Sequence, residues 1–396
     1  MDHLSAGKHV VSILQEAGHT AYFAGGWVRD FLMEHPSDDI DIATSASTDE
    51  ISSLFPKTIP VGVNYGIIIV VLSGHSFEVA TFRKDRGYVD GRRPTGVDPA
   101  PPEEDAKRRD FTINGMFYDP LKGVLYDYIE GEKDLKNQLI RAIGNPHERF
   151  LEDRLRMIRA IRYASRFHFS IHQDTMQAID THAATLFPSV AIERVVHEFE
   201  KMHRFANFDE ALIRLHQHFL LPTIFPSLKG VTLEEIKARV HLIPLFPKDI
   251  PLILKLLELF PKDSRENHLQ LCERLKLSNK EKEWVLFFHK VLLTPFEADD
   301  YTWAHLYAHP LFPLLFQFLS LKQSMLPHVQ RKEILSPFIA RIEAGTPLIN
   351  AEQLIAHGMK PGKELGKTLQ EMERYAINHR LTDPNELLRL HPFDLQ

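Results

Sequence analysis

The sequence predicts an α+β protein, in which an N-terminal head of mixed strands and helices precedes an all-helical remainder. Up to residue 145, short apolar runs that suit strands, notably residues 66–72 and 76–82, alternate with turns. From Pro146 onward, leucine-rich amphipathic segments are separated by prolines, and no repeat of fixed period is present. These two patterns predict a sheet with helices in the first part of the chain and helices alone after it.

Composition excludes several classes of protein. The 396 residues are enough for two to four domains, and 44% hydrophobic with 25% charged residues is typical of globular proteins. No apolar run is long enough for a membrane span, and the single cysteine, Cys272, excludes an intrachain disulfide. We therefore expect a cytoplasmic protein without a membrane partner. The net charge of −6 argues against a uniformly basic surface but permits a local basic groove.

A glycine pair stands between a predicted strand and a predicted helix. Residues 21–24 form an apolar run that suits a buried strand, and residues 28–33 have a composition that suits a helix. Between them, Gly25 and Gly26 allow a backbone conformation and a close approach that a side chain would prevent. Arg29 follows in the first turn and can add a charge-assisted contact to an anion. The segment predicts a phosphate-binding turn, and an ordinary Gly-Gly loop is the alternative.

Two carboxylates follow at strand spacing. In Asp39-Ile40-Asp41, the two-residue period of a strand puts both carboxylates on one face and Ile40 in the core. Carboxylates that face the same way repel each other unless a cation lies between them, and hard oxygen ligands favour Mg²⁺ bridging to substrate phosphates. The pair therefore predicts a magnesium site on Asp39 and Asp41. The alternative is a strand with a solvated acidic edge.

A row of arginines marks a second candidate site. Arg156, Arg159 and Arg162 recur every three residues along a predicted helix whose opposite side is apolar. Stacked arginines without an interleaved acid repel each other, so the row predicts a bound anion, with a solvated basic face as the alternative. The segment 83–104, which contains Gly91, Arg92 and Arg93, has no periodicity and is predicted to be a long mobile loop with a function.

Five motifs in order resemble the class II tRNA nucleotidyltransferase and bacterial poly(A) polymerase family. The first combines residues 25–30 with residues 39–44, and the second is Arg108-Arg109-Asp110-Phe111-Thr112-Ile113-Asn114. The third covers residues 119–134, the fourth residues 152–162 and the fifth residues 193–198. The resemblance extends from about residue 21 to residue 202, and the rest of the chain is similar only as a helical region. One such motif can arise by chance, whereas five in order indicate the family.

The resemblance implies a fold and a domain order. It predicts a DNA polymerase β-like nucleotidyltransferase head over residues 1–145, with a mixed sheet and helices. A helical neck over residues 146–205 would hold the template for the nucleotide base and bind RNA. An all-helical body and tail over residues 206–396 would bind tRNA.

It also implies roles for individual residues. Asp153 and Arg156 would offer hydrogen bonds to the edge of the incoming base, and Arg159 and Arg162 would reach the triphosphate. Glu78 is the candidate third carboxylate, which would help to deprotonate the attacking 3′-hydroxyl; a surface strand glutamate is the alternative. Arg109 and Asn114 would contact phosphate and sugar, and Asp110 would accept a hydrogen bond from a ribose hydroxyl. The fifth motif, with Glu193, Arg194 and Glu198, is expected to brace the neck through ion pairs within its own helix.

The predicted function is Mg²⁺-dependent addition of CMP and AMP, from CTP and ATP, to the 3′ end of tRNA. Residues 59–66 resemble the CCA-adding members, and no arginine-rich tail is present. Residues 95–99 depart from the usual pattern of the family. This departure concerns the function of switching from the addition of C to the addition of A. Poly(A) polymerase activity, addition of A alone or of CC alone, and a catalytically inactive RNA-binding protein are the alternatives. We expect a monomer or weak homodimer.

Overall fold

The computed structural model describes residues 1–35, 37–88 and 94–390. The chain divides into two compact units, Met1–Ala238 and Arg239–Gln396. The predicted head boundary at residue 145 lies inside the first unit. The division into head, neck, and body with tail stays a prediction.

Strands occur only in the first unit among the described residues. They are β1 Ala21–Ala24, β2 Asp41–Thr44, β3 Thr58–Gly62, β4 Ile67–Leu72, β5 His75–Thr81, β6 Arg83–Tyr88, β7 Pro94–Pro99, β8 Phe117–Asp119, β9 Val124–Tyr126, β10 Leu139–Ile140 and β11 Ser170–Ile171.

The first unit also contains helices. They are α1 His3–Glu16, α2 Gly26–Leu32, α3 Thr48–Leu54, α4 Pro102–Lys107, α5 Gly131–Lys136, α6 Pro146–Glu152, α7 Leu155–Phe167, α8 Gln173–His182, α9 Ile192–Met202, α10 Phe208–Gln217, α11 Leu220–Ile224 and α12 Leu233–Val240, within which the division between the units falls.

Seven strands form one mixed sheet, in the order β3-β4-β5-β2-β1-β8-β9. Only β2 and β5 run parallel; the other neighbours are antiparallel. This parallel pair places Asp41 opposite Glu78, which brings two predicted site residues side by side. Helix α1 covers one face, where a Cβ on Gly7 would lie 3.2 Å from Phe23 and 3.3 Å from Phe77, so glycine allows this close packing without a shift of its neighbours. The sheet therefore holds Asp41 and Glu78 on neighbouring strands.

The segment predicted to be a loop contains a β-hairpin, so that prediction is wrong for the described residues. Strands β6 and β7 pair antiparallel, with Arg83 opposite Pro99 and Arg86 opposite Gly96, and α4 begins at Pro102. The predicted loop residues Gly91, Arg92 and Arg93 lie outside the described residues. Backbone pairing forms this hairpin without an apolar face, so the sequence has no alternating pattern that would predict it.

From Pro146 onward, β11 is the only strand in the described chain, and the other regular elements are helices. This confirms the predicted change from strands with helices to a helical remainder. Helices α7 and α9 in the first unit carry the fourth and fifth motifs. The second unit consists of helices α13 Leu252–Leu257, α14 Arg265–Arg274, α15 Asn279–Leu293, α16 Asp300–Tyr307, α17 Phe312–Ser320, α18 Leu326–Ile334, α19 Ser336–Ala344, α20 Ala351–Ala356, α21 Lys363–Asn378 and α22 Pro384–Leu390. Toward its end, Leu354, Met372, Ala376 and Leu387 form a buried cluster. None of the helices in the described ranges is long and apolar enough to cross a membrane.

Candidate active site

Every residue that the sequence predicts for catalysis or nucleotide binding lines one cavity of the first unit. Its volume is about 1030 Å³. The residues come from the turn before α2 and α2 itself, the start of β2, strand β5, the segment after α4, the junction of α6 with α7, and α7 itself: Gly25, Gly26, Arg29, Asp39, Asp41, Glu78, Arg109, Asp110, Asn114, Asp153, Arg156, Arg159 and Arg162. The two candidate sites of the sequence are therefore one site, while the role of each residue stays a prediction.

Three carboxylates gather at the start of β2. Asp41 is the first residue of the strand, and Ile40 before it is 4% exposed in the core. Asp39 precedes the strand, so the expectation that both carboxylates lie within it is wrong, because the ladder with β1 begins at Asp41. Both nevertheless line the cavity, and Glu78 joins them from β5. Within the described part of the chain, none of the three forms an ion pair.

The electrostatics of Asp41 reflect this crowding. Burial together with the charges of Glu78 and Asp39 raises the pKa of Asp41 to about 7, against the opposing charge of Arg109. A cation between the carboxylates would remove this cost. Over residues 1–35, 37–88 and 94–390, no three His, Cys, Asp or Glu side chains form a metal site by themselves. Mg²⁺ is usually held by one or two carboxylates together with substrate phosphates, so the donor set fits that ion.

The glycine turn lies against these carboxylates. Gly25 has a φ of +67°, which a residue with a side chain rarely adopts. A Cβ at this position would also lie 3.3 Å from Nη1 of Arg109 and 3.5 Å from Oδ2 of Asp41. A Cβ on Gly26 would lie 3.4 Å from Nη2 of Arg29. The predicted close approach at the glycine pair is thus explained by the cavity side chains that surround it.

Asp105 is a buried residue that the sequence analysis missed. Its carboxylate accepts hydrogen bonds from the backbone N–H of Arg83 and from the guanidinium groups of Arg108 and Arg109. Burial opposes its ionisation, but Arg109 and Arg108 hold its pKa below the ordinary value. Asp105 therefore holds Nε and Nη2 of Arg109, whereas Nη1 of Arg109 lies next to Gly25. Its spacing of three and four residues before the two arginines, on a helix, is a signal that predicts these contacts.

Asp110 is fully engaged within the protein. Oδ1 accepts hydrogen bonds from the N–H of Phe111 at 2.8 Å and from Nδ2 of Asn114 at 3.1 Å. Oδ2 accepts two from Arg159, at 2.8 and 2.6 Å. Burial opposes ionisation, yet Arg159 and Asn114 hold the pKa of Asp110 well below its usual range. Since a carboxylate offers about four acceptor positions, the geometry does not support the predicted bond to a ribose hydroxyl.

Arg29 is likewise held inside the protein, at 3% exposure. It pairs with Asp30 at 2.7 Å and donates to Oδ1 of Asn114 at 2.5 Å. Its guanidinium also lies 5.1 Å from the ring centroid of Tyr163 and 4.8 Å from that of Phe167. The predicted contact of Arg29 with phosphate would therefore use only those N–H groups that Asp30 and Asn114 leave available.

Each arginine of the predicted row has a carboxylate partner, so the expectation of a row without nearby acids is wrong. Each nearest N–O distance is 2.6 Å, in the pairs Arg156 with Glu152, Arg159 with Asp110, and Arg162 with Glu198. Glu152 lies one helical turn before its partner, whereas Asp110 and Glu198 are 49 and 36 residues away in the chain. The long-range partners could not be found from helical spacing.

Asp153 lies between α6 and α7 and is held by Arg194. Its two oxygens accept hydrogen bonds from Nη1 and Nη2 of Arg194 at 3.1 and 2.7 Å, and Oδ1 also accepts from the N–H of Leu155. The fifth motif therefore braces α7 from α9 through Arg194 and Glu198. The expectation that these two residues find their partners within α9 is wrong, since their closest partners are Asp153 and Arg162.

A CCA-adding enzyme from Lactobacillus helveticus (strain DPC 4571) is 33% identical to this chain over 402 residues, which cover 98% of this chain and 96% of that protein. The chain belongs to the family of CCA-adding enzymes. Two family models that match it fit this assignment. The model described as "Poly A polymerase head domain" covers residues 21–141, and "Probable RNA and SrmB- binding site of polymerase A" covers residues 168–231.

Solved structures of CCA-adding enzymes share the fold. The Bacillus stearothermophilus CCA-adding enzyme in complex with CTP matches with a TM-score of 0.78 and 26% identity, over 98% of each chain. The Thermotoga maritima enzyme complexed with tRNA matches with a TM-score of 0.65 and 21% identity, over 98% of this chain and 94% of that one. The predicted family, α+β fold class and nucleotidyltransferase class are confirmed. Nucleotidyltransferases of this family use divalent metal ions.

Proposed function

We propose that the cavity of the first unit joins CMP and AMP, from CTP and ATP, to the 3′ end of tRNA and releases pyrophosphate. The observation that carries this proposal is that a glycine turn, a basic helix and three carboxylates line the same cavity. The three carboxylates form no ion pair with any described residue. The sequence similarity to CCA-adding enzymes over nearly the whole chain supports it. The metal, the residue roles and the partners described below belong to the proposal.

Asp39 and Asp41 would hold Mg²⁺. When bound, this ion lowers the pKa of the attacking hydroxyl and stabilises the charge of the leaving pyrophosphate. Glu78 lies beside Asp41 in the parallel register and accepts the proton of the 3′-hydroxyl. The bond between that oxygen and the α-phosphorus forms as the bond to pyrophosphate breaks.

The other cavity residues bind and orient the nucleotide. Asp153 accepts a hydrogen bond from the exocyclic amino group that cytosine and adenine share, and Arg156 donates to ring or carbonyl acceptors. Arg194 positions the carboxylate of Asp153, leaving part of its acceptor capacity for the base. Arg159 and Arg162, each held by a carboxylate, present their remaining N–H groups to the triphosphate.

The helical regions would bind the tRNA. The neck, residues 146–205, holds the template, and residues 206–396 bind the acceptor and T arms through shape and backbone charge. Cytoplasmic location, a monomer or weak homodimer, and the absence of a membrane partner stay predictions.

The test is incubation of the protein with tRNA lacking its terminal trinucleotide, Mg²⁺ and labelled CTP or ATP, followed by product sizing on a gel. We expect three nucleotides added when both triphosphates are present and two with CTP alone. A product of one or two nucleotides under all conditions would indicate partial addition, and a long ladder with ATP would indicate a poly(A) polymerase. Tight tRNA binding without incorporation would indicate an RNA-binding protein.

A further inference from the structure

Tyr163 is a buried aromatic residue of the cavity wall that the proposed reaction does not use. It lies on α7 between Arg159 and Arg162, to which the proposed function gives the triphosphate, and it is 7% exposed. The ring of Phe111 packs edge to face against it with 5.9 Å between the centroids, and the ring of Phe167, one turn later, lies parallel to it at 6.2 Å. These two aromatic neighbours fix the position of the Tyr163 ring.

Three cations approach the same ring. The guanidinium of Arg162 lies 4.1 Å from the ring centroid, that of Arg29 5.1 Å and that of Arg159 5.7 Å. Each distance is within the reach of a cation–π contact, which extends to about 6 Å. Arg29 comes from α2, whereas the other two arginines belong to α7. The ring of Tyr163 therefore connects arginines of two helices at the cavity wall.

The hydroxyl group of Tyr163 uses only part of its hydrogen-bonding capacity. Its oxygen accepts a hydrogen bond from Nη2 of Arg159 at 3.3 Å, and the same Nη2 donates to Oδ2 of Asp110 at 2.6 Å. A phenol can also donate one hydrogen bond, but no residue in the described ranges accepts the hydrogen of Tyr163. Because a buried donor without an acceptor is costly, the hydroxyl needs an acceptor that the folded chain does not supply.

The surroundings of this hydroxyl favour an anionic acceptor. A phosphate oxygen that binds Arg159 would lie close to the hydroxyl, which is itself 3.3 Å from Nη2 of that arginine. Burial opposes ionisation of the phenol, but the charges of Arg159, Arg162 and Arg29 lower its pKa below the ordinary value, so the group is a better donor. A hydrogen bond to an ionised acceptor is also shorter and stronger than one between neutral groups.

We infer that the Tyr163 hydroxyl donates a hydrogen bond to an oxygen of the incoming triphosphate, while the ring holds Arg159 and Arg162 beside it. The inference rests on the proposed function, because it takes these two arginines to face the triphosphate. No covalent bond forms or breaks at Tyr163, so the residue contributes to nucleotide binding alone. Since phosphate contacts carry no base information, CTP and ATP benefit equally, in contrast to the reading of the base by Asp153.

The test compares Tyr163→Phe with the wild-type full chain in the binding of CTP, of ATP and, separately, of tRNA that lacks its terminal trinucleotide. Loss of a hydrogen bond to a charged group weakens binding about tenfold or more, so we expect the Kd of both nucleotides to rise about tenfold. The tRNA affinity and the urea midpoint of unfolding should change little, because phenylalanine keeps the ring and its contacts. Tyr128→Phe is the matched control, since Tyr128 is 40% exposed and does not line the cavity.

A pH profile distinguishes a hydroxyl that donates to the nucleotide from one that only orients Arg159. When the phenol ionises it loses its hydrogen and repels phosphate, so the wild-type affinity for CTP should fall as the pH rises toward the ordinary tyrosine pKa of about 10. Tyr163→Phe should lack this fall. The other charged groups that face the phenol and its arginines keep their charges from neutral pH to about pH 10; they are Arg29, Asp110, Arg159, Arg162 and Glu198.

Two results would overturn the inference. One is wild-type affinity for CTP in Tyr163→Phe. The other is weaker CTP binding that keeps the wild-type pH profile, since the hydroxyl would then act only through Arg159. A wild-type chain that binds neither CTP nor ATP would refute the proposed function and the inference with it, whereas nucleotide addition by the wild type would leave the proposed function intact in either of the first two cases.

Discussion

The two charged ends of the catalytic cavity differ in how their charges are compensated. At the start of β2, Asp39, Asp41 and Glu78 form no ion pair with any described residue, and burial with mutual repulsion raises the pKa of Asp41 to about 7. Along α7, Arg159 and Arg162 each have a carboxylate partner at 2.6 Å. Like charges therefore cluster at both ends, but only the arginines are neutralised by the protein.

The difference indicates two ways in which the cavity is preorganised to bind a polyphosphate substrate. Uncompensated carboxylates attract a cation, and their mutual repulsion is relieved only when the cation arrives. Compensated arginines are held in fixed positions, so that little side-chain freedom is lost when phosphate binds. Substitutions at the two ends should therefore change the stability of the metal-free protein in opposite directions.

The largest expected effect is on the compensated end. Asp110→Asn leaves the Arg159 guanidinium without its nearest counterion in a largely buried position, so we expect a loss of about 3–5 kcal/mol in the free energy of unfolding. Urea denaturation followed by circular dichroism measures it, and Asp110→Asn/Arg159→Met should recover most of the loss.

Asp98→Asn is the matched control for Asp110→Asn. Its partner Arg86 is 65% exposed and Asp98 itself is 48% exposed, so removing this surface pair should leave the free energy of unfolding nearly unchanged. Equal losses for Asp98→Asn and Asp110→Asn would mean that the arginine row is not held by buried ion pairs.

At the uncompensated end, Asp41→Asn should reduce the rate of nucleotide addition by about 10²- to 10³-fold, because a ligand of the proposed metal is lost. Single-turnover addition of CMP to tRNA measures the rate. Asp49→Asn, an exposed carboxylate on α3, is the control. A variant that retains more than about a tenth of the wild-type rate would refute the metal assignment.

The same Asp41→Asn substitution should stabilise the metal-free protein above pH 7. The folded state holds the Asp41 proton up to about pH 7, whereas the unfolded chain releases it near pH 4, so ionisation costs folding free energy at pH 8. We expect a gain of about 2 kcal/mol in urea denaturation at pH 8, and a smaller one at pH 5. A loss at both values would contradict the proposed repulsion.

The contrast between the two ends also explains what could be predicted from the sequence. Gly25, Asp39 and Asp41 were found because a turn and a strand put their chemistry within a short stretch. The partners of the arginines were not, because Asp110 and Glu198 reach α7 across 49 and 36 residues. Helical spacing could have predicted the contacts of Asp105, but Asp105 is flanked in the sequence by four other charged residues and does not stand out among them.

The fold shows the same limit. Apolar strands β4 and β5 were predicted to within one residue at each end, because their residues are buried in the large sheet. The hairpin β6–β7 was missed because backbone pairing, which leaves no pattern in side-chain polarity, defines it. Local patterns therefore predict elements that contribute to a core, and they fail where structure rests on backbone or long-range ionic contacts.

A smaller effect concerns base selection at the end of the cavity next to α6. Asp153→Ala should weaken discrimination of CTP and ATP against UTP and GTP by about 1–3 kcal/mol, since a polar pair to the base edge is lost. Arg194→Met should act in the same direction, because Arg194 holds the carboxylate. Single-turnover additions with each nucleotide supplied alone measure this, with Arg159→Ala as the comparison that should raise KM for all four nucleotides about equally. A uniform loss of activity with unchanged preference would refute the template role of Asp153.

Neighbouring titratable groups of the same kind can also avoid repulsion by staying uncharged. A histidine pair in the second unit is an example, to be compared with the two charged ends of the cavity. His268 and His289 are buried, with Nδ1 of His268 2.9 Å from Nε2 of His289, and Nε2 of His268 lies 3.1 Å from the carbonyl oxygen of Phe260. Burial lowers the pKa of both rings, and for His289 the neighbouring His268 lowers it further. The unfolded chain therefore binds protons near pH 6.5 that the folded unit excludes.

Stability of the second unit should accordingly be complete above pH 6.5 and decline as the pH falls below it, by at most about 1.4 kcal/mol per pH unit for each proton. Amide hydrogen exchange of α14 and α15 between pH 5 and 7.5, corrected for the intrinsic rates, measures this decline. His268→Gln/His289→Gln should flatten it, because glutamine donates and accepts hydrogen bonds without titrating. If the stability of this variant declined as much as that of the wild type, the histidine pair would not govern the acid sensitivity of the second unit. The comparison with the two charged ends of the cavity would then fail.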